Sequence, residues 1–585
     1  MRVDPRLRFM EPVLTYAEMW QLLEPSVLLF PAKRLIAMVA SCSWEETYLR
    51  LSRIAALLAN CPDRGLDQEV RARTTDLLAS RLASKTWEER VIAFYVRVSV
   101  PRILAHEEVV YFLQALAILY GRDNGPPPTD EQIAFWMLAG NDHCFGWRED
   151  DEQLSTNEDL VAVTARALLF NHRHDSLPQL VRSSAMLERA PPRTPEWTAA
   201  RDWKAFQTRA FGMPFDEYFD FLAGGLYIMS VGWGLPTEAG LRDPKVLPDE
   251  WVRGTGVPRT PALEFFARTS GSRAELREML KPFVGEDGLP RGSSLFHLRP
   301  FARFANGALV PASPWAVREQ LRGALWNMHR LQAKAEFGDN AGGVRWLAAF
   351  GDLFELWCRD VASMAASSKK FLSTLIVSKA IGSEDEVEDV VLVHESKVLL
   401  VSAKAATIRQ DLLMGASSAA QALAWYERFL FAPRMGQQRG GAVRLLDKKV
   451  GQIRDGQHVS AGLLADSKIF PMLVTYEHLG ADNPGFYMWF KDRTKAENLL
   501  QQQGVFPLVI LNIEKFESLM AFAAAGGDIF EMLENRGAEE RADVALFDAA
   551  TAIDATRLPD LERRFDIVLD RLKARLAAAN GSGAA

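Results

Sequence analysis

Glu388-Asp389-Val390-Val391-Leu392-Val393-His394, the link Glu395-Ser396-Lys397, and Val398-Leu399-Leu400-Val401-Ser402-Ala403-Lys404 form the stretch on which the reading of this chain turns. Two runs rich in valine and leucine, joined by a few polar residues, predict a pair of adjacent strands. Neither run alternates apolar with polar, so both faces of the sheet are expected to be covered, as when helices pack on either side. Asp389 opens the first run and Lys404 closes the second. Residues i and i+2 of a strand share a face, which puts Ser402 beside Lys404, with Asp389 brought near from the neighbouring strand.

The pattern continues outward from this pair. Arg345 to Ala366 has helical spacing, Phe371 to Lys379 reads as a strand, and Ile408 to Phe431 as the helix that follows. Ile469 to Tyr476 and Val505 to Ile513 are two further apolar runs of strand length. Together they predict an α/β sandwich with C-terminal helices over residues 341–585, beginning at the glycine-bearing break 338–343.

Upstream the chain is helical. Residues 1–190 carry apolar positions at helical spacing, as in Tyr48-Leu49-x-Leu51-x-x-Ile54, and Thr129 with Gln132 has the spacing of a capping box. The run Arg189-Ala190-Pro191-Pro192-Arg193-Thr194-Pro195 is the clearest linker candidate. Residues 191–340 read as a second helical region with a small hairpin about Asn306-Gly307, a preferred turn dipeptide. The expected fold class is therefore multidomain, a largely α-helical N-terminal half followed by a C-terminal α/β domain.

Helix, strand, strand, strand, helix, strand, with these residues in it, resembles the PD-(D/E)XK nuclease superfamily, whose core is the restriction-endonuclease-like fold. Glu355 in Gly351-Asp352-Leu353-Phe354-Glu355 sits where the first helix of that family often carries an inward acid. Asp389 matches the metal-binding acid of the second strand, and Val401-Ser402-Ala403-Lys404 matches the acid-x-Lys that ends the third. The resemblance implies a Mg²⁺- or Mn²⁺-dependent nuclease, with Asp389 and Glu355 as metal ligands and Ser402 and Lys404 completing the catalytic set. The departure is Ser402, which stands where the family has Glu or Asp. Some restriction enzymes of the superfamily with Ser-x-Lys take the carboxylate from the following helix. That spacing falls near Ser418 here, with Asp411 and Glu427 the nearest acids, while Gln421 and Tyr426 resemble a glutamine and tyrosine pair of some exonuclease branches.

The chemistry stands beside the resemblance. Carboxylates hold hard cations, and such a cation polarises a phosphate and activates water. A lysine at that place orients the water or offsets charge developing on the phosphate. Each residue also has a plainer reading: Glu355 pairs with Arg359 one turn on, Asp389 ends a solvated acidic run, and Lys404 reaches out to solvent.

Two functions follow from the sequence. One is a metal-dependent nuclease acting on DNA or RNA, laid out like bacterial antiviral-defence or restriction-type effectors and gated by a helical N-terminal region that meets a protein partner or a structured nucleic acid. The alternative is a catalytically degenerate nuclease-fold protein that binds nucleic acid or scaffolds a complex. Arg434, Arg439, Arg444, Lys448 and Lys449, in a segment whose glycines suggest mobility, form a candidate phosphate clamp, and a solvated basic loop is the plainer reading. A net charge of -7 over 585 residues confines any nucleic-acid contact to such a local patch. The longest uncharged stretch, Phe221 to Thr237, is too short for a membrane span of about 20 residues, and the first residues lack a secretory pattern. Four cysteines without a CxxC pair fit a reducing compartment, so the expected location is cytoplasmic. His143-Cys144 and His172-x-His174 match no common zinc spacing.

Overall fold

The computed structural model describes residues 30–59, 107–144, 177–232, 248–290, 294–321, 323–367, 374–376, 388–405, 419–433, 440–459, 462–477, 479, 484–538 and 559–581. They belong to two compact units. The first comprises Met1–Gln153, Phe211–Asn327 and Asp570–Ala585, and the second Leu154–Ala210 and Met328–Leu569. Both are discontinuous in sequence, whereas the local patterns pointed to consecutive domains at 1–190, 191–340 and 341–585. The proline-bearing run 189–195 lies inside the second unit.

Helices dominate the first unit. Trp44–Ala59 packs on Glu107–Tyr120, which packs in turn on Asp130–Cys144. The capping box forms at the start of the last of these: Thr129 N donates to Gln132 Oε1 at 2.8 Å and Gln132 N to Thr129 Oγ1 at 3.2 Å. Ser270–Ser272, Phe301–Arg303 and Leu309–Pro311 make a three-stranded sheet, the last two antiparallel. The hairpin between them turns through Asn306-Gly307, with Gly307 at φ +81° and Asn306 Oδ1 accepting from Ala308 N. Its loop is longer than two residues because Phe304 N bonds Ala308 O before the turn closes. Among the described residues no helix is long and apolar enough to cross a membrane.

The second unit is built on a mixed five-stranded sheet. In chain order its main elements are α1 (Leu177–Leu187), α2 (Asp339–Ser367), β1 (Thr374–Ile376), β2 (Val390–His394), β3 (Lys397–Lys404), α3 (Ala419–Phe431), α4 (Ala442–Arg454), β4 (Lys468–Thr475), α5 (Pro484–Ala496), β5 (Val509–Asn512) and α6 (Ile513–Ala524). The strands lie in sequence order. β2 is antiparallel to both of its neighbours, β1 and β3, and β3, β4 and β5 run parallel. The link from β2 to β3 is the two-residue turn Glu395-Ser396, with Glu395 at φ +52° and Lys397 already paired with His394.

Both faces of β2 and β3 are covered, as their unbroken apolar runs require. Val391, Val398, Leu400, Ile469, Leu473 and Ile510 join a core with residues of α3, α4 and α5. The alternate positions Leu392, Leu399 and Val401 are also fully buried. α2 and α6 pack against the sheet and against each other. They are held by a buried clasp: Arg182 of α1 makes a bidentate pair with Glu517 of α6 (2.6 and 3.0 Å), and Trp357 Nε1 of α2 donates to the same carboxylate at 2.8 Å. Parallel pairing sets Lys404, Thr475 and Asn512 in register at the carboxyl ends of three adjacent strands, the end of an α/β sheet where ligands commonly bind.

Candidate metal and catalytic centre

Asp389 lies just before β2 and Lys404 ends β3, so hairpin register alone brings them together. The Asp389 carboxylate accepts from Lys404 Nζ at 3.1 Å and from the Ala403 backbone N–H at 2.7 Å, both through Oδ2. Its carbonyl accepts from Arg359 Nε of α2 at 2.9 Å. Arg359 thus holds the backbone of Asp389 and does not form the one-turn pair with Glu355.

Glu355, one turn earlier on α2, is engaged by Arg193. Arg193 Nη2 donates to Glu355 Oε2 and its Nε to Asp352 Oδ1, each at 2.6 Å, and its backbone N–H reaches Asp352 Oδ2 at 3.0 Å. Arg193 belongs to a strap laid along α2, with Arg189 paired to Asp360 on one side and Glu196 to Arg345 (2.8 Å) on the other.

A third carboxylate stands with these two. Glu388 is 8% exposed, next to Asp389 and close to Ser402, which is fully buried. Ser402 Oγ makes no hydrogen bond of regular geometry but lies near enough to favour the Glu388 carboxylate. Burial, and then the charge of Asp389, push both Glu355 and Glu388 well above the ordinary glutamate range. Arg193 and Lys404 oppose this at Glu355, and Lys404, Ser402 and Lys449 oppose it at Glu388. Burial works against the Lys404 ammonium, yet Asp389, Glu388 and Glu355 hold it above its usual value. Lys404 is therefore a fixed cation at neutral pH, suited to offsetting charge on a phosphate and not to abstracting a proton.

All four catalytic candidates, Glu355, Asp389, Ser402 and Lys404, fall in one neighbourhood. Glu388 and Arg193 join them unanticipated. In sequence Glu388 belongs to the acidic run Glu384-Asp385-Glu386-x-Glu388 that Asp389 ends, although its place before an apolar strand is a usable signal. Arg193 carried none, because its partners lie far along the chain. Among the described residues no group of three or more His, Cys, Asp and Glu side chains is arranged to hold a metal ion.

Other candidates part company. Tyr426 is a core residue whose hydroxyl donates to Leu479 O at 3.1 Å, and Glu427 faces Arg493 at 3.5 Å. The Gln421 side chain, Asp411, Ser418, Arg434, Arg439, His172 and His174 lie outside the described residues. His143 stacks on Phe112. The basic segment, read as a mobile loop, is helical from Ala442, because Val443, Leu446, Val450 and Ile453 bury one face. Arg444 is committed to the fold: its Nε donates to Phe431 O at 2.6 Å and its Nη2 pairs with Glu497. Lys448 is exposed and Lys449 is half-buried toward Glu388.

Compared with protein-family models, curated proteins and solved structures, the chain matches none. The site is accordingly read from its own residues.

Proposed function

We propose that the second unit is a divalent-metal-dependent nuclease of the restriction-endonuclease-like type, acting on DNA or RNA. The observation that carries this reading is the meeting of Asp389 and Lys404 at the ends of two paired strands, within a pocket of charge that also holds Glu355 and Glu388. The order α2, β1–β3, α3 and α4, β4, with β3 antiparallel to β2 and parallel to β4, is the order the sequence resemblance implies and supports it further. The donor set is all oxygen, as Mg²⁺ or Mn²⁺ prefers, and carboxylates raised by burial and then by the charge of Asp389 are what a cation would relieve. A bound cation would supply Lewis acidity and an activated water. Asp389 provides a ligand oxygen, Ala403 N–H fixes the direction of its carboxylate, and the Lys404 ammonium lies where charge would gather on a phosphate. The helical first unit is assigned the recognition of a protein partner or a nucleic-acid structure, in the manner of a cytoplasmic defence effector.

A second reading, a degenerate nuclease fold that binds nucleic acid without cutting it, is favoured by one observation. Asp389 Oδ2 is already satisfied by Ala403 and Lys404. The two separate in an assay on supercoiled plasmid, linear duplex, single-stranded DNA and RNA with Mg²⁺, Mn²⁺ or EDTA. Cleavage needing metal and lost in Asp389→Asn and Lys404→Ala is expected. Salt-sensitive binding without cleavage on every substrate would replace the first reading by the second.

A further inference from the structure

Contacts of α2 bring Glu355 close to Asp389. The helix packs against β2 and β3, and Arg359, one turn on from Glu355, donates to the Asp389 carbonyl at 2.9 Å. Each acid is gripped by one oxygen. Asp389 Oδ2 takes the Ala403 N–H and Lys404 Nζ, and Glu355 Oε2 takes Arg193 Nη2 at 2.6 Å. Among the described residues, Asp389 Oδ1 and Glu355 Oε1 accept no hydrogen bond. Arg193 is itself fixed before it reaches Glu355. Its backbone N–H and its Nε hold the two oxygens of Asp352, three residues earlier on α2, at 3.0 and 2.6 Å. The Asp352 side chain is 3% exposed, so this buried anchor fastens the strap without help from Glu355. The rigid planar guanidinium then presents Nη2 in a set direction, and Glu355 is what it meets. Ligand carboxylates in metal centres are commonly held by an outer hydrogen bond of this kind, which sets their direction.

We propose that Arg193 is a positioning residue of the metal centre: locked on Asp352, it holds Glu355 by Oε2 so that Oε1, with Asp389 Oδ1, is left for the divalent cation. Magnesium ions are commonly bound by one or two carboxylates, with water and substrate phosphate completing the shell, so two acids suffice. Arg193 acts through Glu355 and touches neither the ion nor the substrate. The strap suits this task. Pro192 and Pro195 restrict the backbone on either side of Arg193, and Trp197 buries its far end. The inference rests on the metal-dependent reading above and deepens it by naming what orients one of its ligands.

The test is Mn²⁺ binding to the full chain, followed by calorimetry and by the loss of the free-ion EPR signal. The proteins are wild type, Arg193→Met, Arg193→Lys, Arg189→Met, Glu355→Gln and Arg193→Met/Glu355→Gln, with circular dichroism to check the fold of each. Arg193→Met is expected to weaken Mn²⁺ by about tenfold or more, and Arg193→Lys, which keeps the charge and a donor for one acid, by less. Arg189→Met breaks the neighbouring strap pair with Asp360 and is expected to leave the affinity within about threefold. It separates the positioning of Glu355 from the anchoring of the strap. Because Arg193 acts through Glu355, its removal should cost no further affinity in the Glu355→Gln background. Three results would each overturn the assignment and leave the metal-dependent reading standing: Arg193→Met binding as well as wild type or better, an equal loss in Arg189→Met, or a full further loss in the double variant. Absence of Mn²⁺ binding by the wild type would overturn both.

Discussion

Replacing Arg182 by methionine removes the cation from the clasp that fastens α2, the helix carrying Glu355, to α6. Both members are nearly buried, with side chains 4% and 6% exposed, and the pair is bidentate. Methionine fills most of the volume, so the loss is electrostatic: Glu517 stays in the interior, keeping the Trp357 N–H at 2.8 Å but losing its guanidinium. Breaking one side of such a pair costs about 3–5 kcal/mol. At this size a unit loses roughly 2 °C of Tm per kcal/mol, so melting is expected to fall by about 6–10 °C. The double variant Arg182→Met/Glu517→Leu is the control. It leaves no buried charge and should recover most of the loss, short of about 1–2 kcal/mol for the Trp357 N–H left without an acceptor. Differential scanning calorimetry reads both. A fall under about 2 °C in the single variant, or a double variant no better than the single, would refute the assignment of the cost to a stranded carboxylate.

Arg193→Met leaves Asp352 and Glu355 facing each other without their shared cation. Because Arg193 is partly exposed, the expected loss is smaller, about 1–3 kcal/mol in urea unfolding, with part returned by adding Glu355→Gln; an unaltered midpoint would show that the strap contributes nothing to stability. If α4 presents Lys448 and Lys449 to a phosphate backbone, changing both to glutamine should reduce the slope of log K against log salt by about 1 to 2, as measured by fluorescence anisotropy. An unchanged slope would place the nucleic-acid contact elsewhere.

What could be read from sequence was local. β2 and β3 were legible because valine and leucine fill both faces of each run, and the polar Glu395-Ser396 link admits only a tight turn. The Asp389–Lys404 contact follows from that register. The capping box at Thr129 and the Asn306-Gly307 turn were legible for the same reason: their partners lie within three residues or so. In α4 the apolar spacing of Val443, Leu446, Val450 and Ile453 was available, but the glycines just before it suggested a mobile segment. Arg193 was not legible at all. Its acids lie on a helix far down the chain, and a proline-rich run gives no hint that its arginines are anchored. The interleaving of two units is the same problem at larger scale, since local periodicity carries no record of which distant segments share a core.

Serine at 402 looks like a missing ligand only when the strand pair is considered apart from what precedes it. Around Lys404 the structure gathers Glu355, Glu388 and Asp389, with Arg193 held by Glu355 and Lys449 acting on Glu388. Burial raises the Glu388 carboxyl despite Lys404, Ser402 and Lys449, a cost that a protein that had only to fold would avoid with an apolar or amide residue there. Retaining the acid makes sense where a further counter-charge arrives, and a divalent cation would meet that need. The cost of burying Glu388 thus favours the catalytic reading over the degenerate one, on grounds that do not require the usual acid at position 402.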